Sequence, residues 1–249
     1  MKFVRKTDQH LLPEVKPTPA EGKYDIYPSY KLGDNQIYSG FGSLAEAISE
    51  YRVVILDGYA GVFYDHFREK LDESLKKRGL KTSWLNASDF LKHPDIIEEI
   101  VSPFMGGDDL VFGKRTSLQL EDFYDLHLLK ELKPDPEADL NLIIGPGASL
   151  TGWNGLLLYL DLPKNEIQFR SRAGSISNLG TTKPADSKKM YKRFYFIDWI
   201  VLNRHKRSIL SKVDLIIDTQ RPECPSWMPG ELLRYSLSVM SQNVFRKAP

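Results

Sequence analysis

The residues best placed to do chemistry are Asp57-Gly58-Tyr59-Ala60-Gly61-Val62-Phe63-Tyr64-Asp65. They follow the uninterrupted aliphatic run Val53-Val54-Ile55-Leu56 and precede apolar residues at Phe67, Leu71 and Leu75. A buried strand therefore enters a glycine-bearing turn and leaves it as a helix with one apolar face. In that context backbone N–H groups can cradle phosphate oxygens, and Gly58 and Gly61 stand where close backbone approach needs them. Gly58, Tyr59, Gly61, Tyr64 and Asp65 are the candidate phosphate contacts. The end of the turn departs from that chemistry. Phe63-Tyr64-Asp65 stands where Gly-Lys-Ser/Thr is required. The ammonium that offsets phosphate charge becomes a phenol, and the hydroxyl that ligates Mg²⁺ becomes a carboxylate. One such like-charge pair at about 4 Å and an effective dielectric of about 20 costs roughly 4 kcal/mol. A triphosphate in the usual pose is disfavoured, and the same residues also suit a plain tight turn between strand and helix.

Three other segments carry polar chemistry. Asp89 follows the short run 82–85 and can act as a carboxylate base toward an acceptor hydroxyl or serve as a turn aspartate. Arg170 and Arg172, with Lys164 nearby, suit bidentate phosphate contacts from a lid or the solvated face of a helix. Gly145-Pro146-Gly147-Ala148-Ser149-Leu150-Thr151-Gly152-Trp153 follows another apolar run, 142–144. Gly145 and Gly147 shape its backbone, and Trp153 offers a stacking surface for a sugar or base. The acidic turn Gly106-Gly107-Asp108-Asp109 reads as a turn before it reads as a cation site. Residues 116–120 alternate as a strand does.

The elements that must position these groups are short strand-like runs at 53–56, 82–85, 142–144, 156–160 and 215–217, with helical patterns between several of them. Helices are expected around Phe67–Leu75 spacing, at 95–101, 126–132, 188–209 (the last bent or broken) and 231–245. A strand at 36–39 and a helix over 44–51 capped by Ser43 precede them. Aliphatic runs alternating with helices imply a mostly parallel sheet covered on both faces, a three-layer αβα fold, with ligands at the carboxyl ends of the strands. Residues 1–35 read as an extended lead-in interrupted by Pro13, Pro17, Pro19 and Pro28, with Tyr24, Tyr27 and Tyr30 available for contacts. Residues 36–249 read as one α/β domain.

The composition excludes several classes. The 249 residues carry 34 Lys+Arg against 33 Asp+Glu, and a net charge of +1 gives no reason to expect a nucleic-acid partner. A single cysteine, Cys224, excludes an internal disulfide framework. The five histidines, His10, His66, His93, His127 and His205, form no local pair, so each is expected at the surface and no metal site is assigned. No apolar stretch approaches the roughly 20 residues of a membrane span, and no signal-peptide core is present, so a cytoplasmic protein without a membrane partner is expected.

The strand and turn at 53–61, with Trp84-Leu85-Asn86-Ala87-Ser88-Asp89-Phe90, residues 141–145, Tyr159-Leu160-Asp161-Leu162-Pro163 before Arg170 and Arg172, and His205-Lys206 before 213–217, resemble P-loop nucleoside kinases of the uridine kinase type. Nearly the whole chain is similar to the N-terminal kinase-like region of certain bacterial class I mannose-6-phosphate isomerases, on residues 57–65, 161–176 and 241–249. The first resemblance implies a P-loop kinase-like fold with a degenerate phosphate-binding loop. The second implies a non-catalytic or regulatory domain that binds a phosphorylated metabolite beside a C-terminal isomerase module, to which any isomerase activity would belong. Two alternatives stand beside it. One is an active nucleoside or sugar phosphotransferase, in which Lys114, Arg170, Arg172 and Arg204 supply the missing charge, Asp65 or Asp89 holds Mg²⁺, and a nucleotide is bound. The other is a structural module that forms homo-oligomers.

Overall fold

The structure, a computed structural model, describes residues 4–11, 22, 32–107, 109 and 111–242. The prolines and tyrosines singled out in the lead-in, Asp108 and residues 243–249 lie outside the described residues.

In chain order the elements are β1 (Tyr38–Ser39), α1 (Gly40–Ile48), β2 (Val53–Gly58), α2 (Tyr64–Lys77), β3 (Thr82–Asn86), α3 (Pro94–Val101), α4 (Leu126–Glu131), β4 (Leu140–Ile144), β5 (Leu156–Asp161), α5 (Lys164–Arg172), α6 (Ser187–Arg193), α7 (Trp199–Ile209), β6 (Leu215–Asp218), β7 (Ser226–Pro229) and α8 (Gly230–Gln242). All five of the short runs are strands. They form one sheet in the order β1-β7-β6-β5-β2-β4-β3. β3, β4, β2, β5 and β6 run parallel, and β7 and β1 are added antiparallel at one edge. Burial on both faces explains why β2, β4, β5 and β6 carry aliphatic runs rather than alternating patterns, whereas the edge strand β3, Thr82-Ser83-Trp84-Leu85-Asn86, is half-buried and mixed in composition. Val54, Leu56, Leu142, Ile143, Leu158 and Leu160 are fully withdrawn from solvent.

The chain leaves β2 through α2 to reach β3 on one side, then returns through β4 to β5 on the other. Crossovers in opposite directions from β2, of the right hand that such connections favour, account for helices on both faces and the αβα layering. The strand order reverses at β2, so the carboxyl end of β2 is where a ligand site is expected. No helix among the described residues is long and apolar enough to cross a membrane.

Local departures have local causes. Ser39, not Ser43, precedes α1; Ser43 lies inside the helix, where its hydroxyl donates to Ser39 and Gly40 carbonyls and accepts from the Trp227 indole at 3.0 Å. The 188–209 pattern is interrupted by a π-helical stretch, Phe194–Asp198, between α6 and α7. Residues 116–120 form no strand. The Thr116 N–H donates to Phe196 O at 3.0 Å, the Thr116 hydroxyl accepts from Leu118, and Asp122 accepts from the Gln119 N–H, which starts a 3₁₀ turn at Leu120–Phe123.

Candidate functional site

The turn after β2 and the first turn of α2 line a cleft of about 610 Å³ at the carboxyl edge of the sheet. Residues 60–66 form one wall, Asn86 at the end of β3, Ser88 after it and Pro146 after β4 form the floor, and the loop 175–182 closes the far side. The volume is that of a small-molecule site. Gly61 has φ +87°, a conformation that favours glycine, and a Cβ there would meet Ile167 at 3.2 Å. Among the described residues, none accepts a hydrogen bond from the N–H groups of residues 60–66. Ala60 and Val62 are buried, where an unpaired N–H is rare. The turn therefore presents a row of donors beside the positive end of α2, the arrangement that meets an anion.

The side chains of the turn do not complete a triphosphate site. Tyr64 folds back beneath the turn, and its hydroxyl donates to Tyr59 O at 3.0 Å. Burial, then the nearby Asp57 carboxylate, pushes that phenol well above its ordinary range, so it stays a neutral donor. Tyr59 is likewise raised by burial, and its hydroxyl donates to Asn203 at 2.9 Å. Asp65 is exposed at the cleft rim, with Arg68 at 3.9 Å. Among the described residues, the one lysine or arginine lining the cleft is Lys92, whose ammonium donates to Asp122 O at 2.8 Å. His66 at the same wall pairs with Glu223 at 3.1 Å.

Gly58 is fixed by packing. A Cβ there would lie 2.6 Å from Leu160 O and 2.7 Å from the Tyr64 hydroxyl. Gly58→Ala is expected to destabilise the fold by about 1–3 kcal/mol through overpacking, read by urea denaturation.

Arg170 is brought to the turn but not into the cleft. It is fully buried, and its guanidinium donates to Gly61 O at 2.7 Å, Thr219 O at 2.9 Å and Gln220 O at 3.2 Å, and contacts Glu166 at 3.4 Å. Its plane lies 4.2 Å over the Phe63 ring. Burial pushes its pKa down to about 10 against the pull of Glu166. Glu166 is shared with Arg5, which donates to it at 2.9–3.1 Å, so the N-terminal segment is tied to α5. Arg172, two residues on, is exposed and points to a different cavity. Asp89 is exposed on the 3₁₀ turn Ala87–Phe90 and does not line the cleft; its neighbour Ser88 does.

The loop 145–153 binds the protein itself. Asp57, the fifth residue of β2 and fully buried, accepts from Gly58 N at 2.6 Å, Gly147 N at 2.9 Å, Ser149 N at 3.0 Å, Ser149 Oγ at 2.5 Å and His205 Nε2 at 2.8 Å. Gly147 at φ +76° and Gly145 at φ +132° bend the loop so that its N–H groups reach this carboxylate. The Trp153 indole donates to Leu132 O at 2.9 Å and is half-buried against the core, so it is a packing residue in this structure. His205, expected at the surface, is buried instead. Neither Asp57 nor His205 carried a local sequence signal beyond an acid closing an aliphatic run.

Asp57, Ser149 and His205 do not make a nucleophilic triad. That chemistry needs one imidazole nitrogen on serine and the other on the carboxylate. Here Nε2 faces both, with Ser149 Oγ at 3.3 Å, and Ser149 donates directly to Asp57. The cluster is a charged fastening between β2, the β4–β5 loop and α7. Burial alone would raise Asp57, but the His205 and Ser149 bonds hold it below its ordinary value. Burial alone would lower His205, but Asp57 holds it above 6.5. The His205 contribution to stability is complete below pH 6.5 and is lost as pH rises through its folded pKa; the Asp57 contribution is present above about pH 4 and lost as pH falls through its own. Unfolding free energy is expected to decline above pH 6.5, and His205→Asn should flatten that decline in denaturant titrations across pH 6–9.

No group of three or more His, Cys, Asp or Glu among the described residues could hold a metal ion. Of the residues proposed as relocated charge, Lys114 and Arg204 do not line the cleft, and Arg204 donates to Leu118 O at 2.9 Å.

Comparison with known proteins adds the following. Residues 40–242 match the family model described as "Domain of unknown function (DUF8485)". A search of curated proteins gives no match. Among solved structures, the chain is similar to a possible uridine kinase from Bacillus stearothermophilus at 11% identity and TM-score 0.44, over 71% of this chain and 96% of that one. It is also similar to a candidate fructose transport system kinase from Silicibacter sp. TM1040 at 15% identity and TM-score 0.45, over 66% of this chain and 94% of that one.

Proposed function

From the premise that the chain belongs to the DUF8485 family, we propose that it binds a small phosphorylated metabolite in the cleft beside α2 and does not transfer phosphate by the ordinary P-loop route. The observation that carries this reading is the row of N–H groups at residues 60–66 without an acceptor among the described residues, all but Asp65 in buried or half-buried residues, lining a cleft of about 610 Å³. A single phosphate can be met by such donors and the end of α2. A Mg²⁺-triphosphate needs more. Tyr64 is committed to Tyr59 O, Arg170 is committed to three carbonyls, and Asp65 adds negative charge at the rim. The hydroxyl and amide groups of Ser88, Ser177, Asn86, Thr181 and Thr182 around the rest of the cleft suit the hydroxyls of a sugar.

The resemblance read from the sequence at residues 57–65, 161–176 and 241–249, to the region preceding class I mannose-6-phosphate isomerase modules, is the reason a hexose 6-phosphate is the first ligand to test and a C-terminal isomerase module the partner this reading proposes. Calorimetric titration of the full chain with mannose 6-phosphate is expected to give one site. Gly61→Ala is expected to weaken it about tenfold or more, because the substitution strains the turn that presents the donors. Micromolar binding of ATP with Mg²⁺ at that turn would overturn the reading.

A further inference from the structure

We propose that a second cavity, on the opposite side of α5 from the cleft, is a binding site for a planar aromatic anion. α5 separates the two. Ile167 and Arg170 face the Gly61 turn, whereas Gln168, Ser171 and Arg172 face a cavity of about 770 Å³ shared with α6 and the π-helical stretch. Nothing in the cleft chemistry uses it.

Its walls are aromatic: Tyr191, Phe194, Tyr195 and Phe196, with Val111 as the aliphatic contribution. Tyr191 is 43%, Tyr195 54% and Val111 71% exposed, so large apolar side chains are held open to solvent around one concavity. The Tyr191 and Tyr195 rings lie 6.4 Å apart at 32°, and Phe196 meets Tyr195 edge-on at 5.0 Å and 83°. Rings at these spacings present both faces and edges to a further ring. π-helical turns are rare and concentrate at functional sites, and this one carries three of the four aromatic walls.

The rim is cationic. Arg172, Lys188 and Lys192 line the cavity, and among its described lining residues there is no Asp or Glu. Arg172 and Lys188 are exposed, and the Arg172 guanidinium lies 5.9 Å from the Phe169 ring centroid. Lys192 is buried, and its ammonium donates to the Asp109 carbonyl. The Asp109 carboxylate is itself occupied by the N–H groups of Val111 and Phe112 at 2.7 and 2.8 Å. An aromatic body with one negative charge satisfies both features: rings for the walls, and an anion for cations that lack a carboxylate in the cavity.

The test uses the full chain and three probes: naphthalene-1-sulfonate, neutral 1-naphthalenemethanol and octanesulfonate, an anion without a ring. Equilibrium dialysis is expected to give one equivalent of naphthalene-1-sulfonate, bound about tenfold or more tighter than either other probe. Tyr195→Ala, and separately Lys188→Glu and Arg172→Glu, should each weaken it about fivefold or more with the melting temperature retained, since all three side chains are exposed. Lys92→Ala in the cleft should leave it unchanged, which separates this site from the one proposed above. Equal binding of the neutral probe, tighter binding of octanesulfonate, insensitivity to Tyr195→Ala, or no binding at millimolar probe would each overturn the proposal. So would a concentration-dependent dimer abolished by Tyr195→Ala, which would assign this face to a second copy of the chain.

Discussion

Replacing Asp57 by alanine is expected to remove about 3–5 kcal/mol of folding stability, the range for stripping one partner from a buried charge pair. Asp57 is fully buried, and the substitution leaves the N–H groups of Gly147 and Ser149, the Ser149 hydroxyl and the His205 imidazole facing a void. Each orphaned buried donor carries its own desolvation cost. Asp57→Asn keeps the shape but turns an amide NH₂ toward donors on at least one side, so most of the loss should persist. The double substitution with His205→Asn should lose less than the sum of the singles, because the two groups share one interaction. Urea denaturation at pH 6, where His205 is held protonated, reads all three. A loss under about 1 kcal/mol in Asp57→Ala would mean the fastening contributes little.

Arg170→Met is expected to cost a similar amount, about 3–5 kcal/mol, for a different reason. Methionine keeps the packing stem but leaves Glu166 buried with Arg5 as its one remaining cation among the described residues, and unpairs the carbonyls of Gly61, Thr219 and Gln220. Arg170→Lys should not rescue it, since one ammonium cannot reproduce the planar fork that reaches β6, α5 and the turn at once. The substitution also releases the Gly61 carbonyl, so the N–H groups of the turn lose their fixed direction. Mannose 6-phosphate affinity should fall with stability in Arg170→Met. In Gly58→Ala, by contrast, the Arg170 link to Gly61 O remains. Denaturant midpoints together with calorimetry separate these outcomes.

Much of the fold was legible in the sequence because its central strands are buried on both faces. Val53-Val54-Ile55-Leu56 and the other four short runs are all strands, and the expected mostly parallel, doubly covered sheet is present. The strand ends were read short. Each of four continues into polar or small residues, Asp57-Gly58, Asn86, Asp161 and Asp218, which hydrophobic patterning discounts. β7 was not read, since four residues ending in a proline carry no strand period and the pairing at the sheet edge decides it. α5 was read only as one alternative, the solvated face of a helix bearing Arg170 and Arg172, and the burial of that face was not. Its two buried charges, Glu166 and Arg170, sit one helical turn apart, and that i,i+4 spacing was the only local sign that a charged segment packs inward.

The candidate site was legible in outline and misassigned in detail. The turn at 58–65 lines the cleft as its strand–turn–helix context implied. Arg170 and the loop 145–153 were read as ligand-facing because arginine forks, glycines and a tryptophan are what such surfaces use. In the structure those groups bind the protein's own carbonyls and carboxylate. Asp57 and His205 stand 148 residues apart, and no periodicity or spacing joins them. Only the topology, which lays α7 against the carboxyl end of β2, does so.

The central claim, that the turn after β2 receives one phosphate and not a Mg²⁺-triphosphate, is tested most directly by amide NMR of ¹⁵N-labelled protein. Mannose 6-phosphate is expected to shift the N–H resonances of residues 60–66 in a saturable way. ATP with Mg²⁺ should leave them in place at equal concentration. Saturable shifts of those same amides by ATP with Mg²⁺ at micromolar concentration, with none from mannose 6-phosphate, would contradict it.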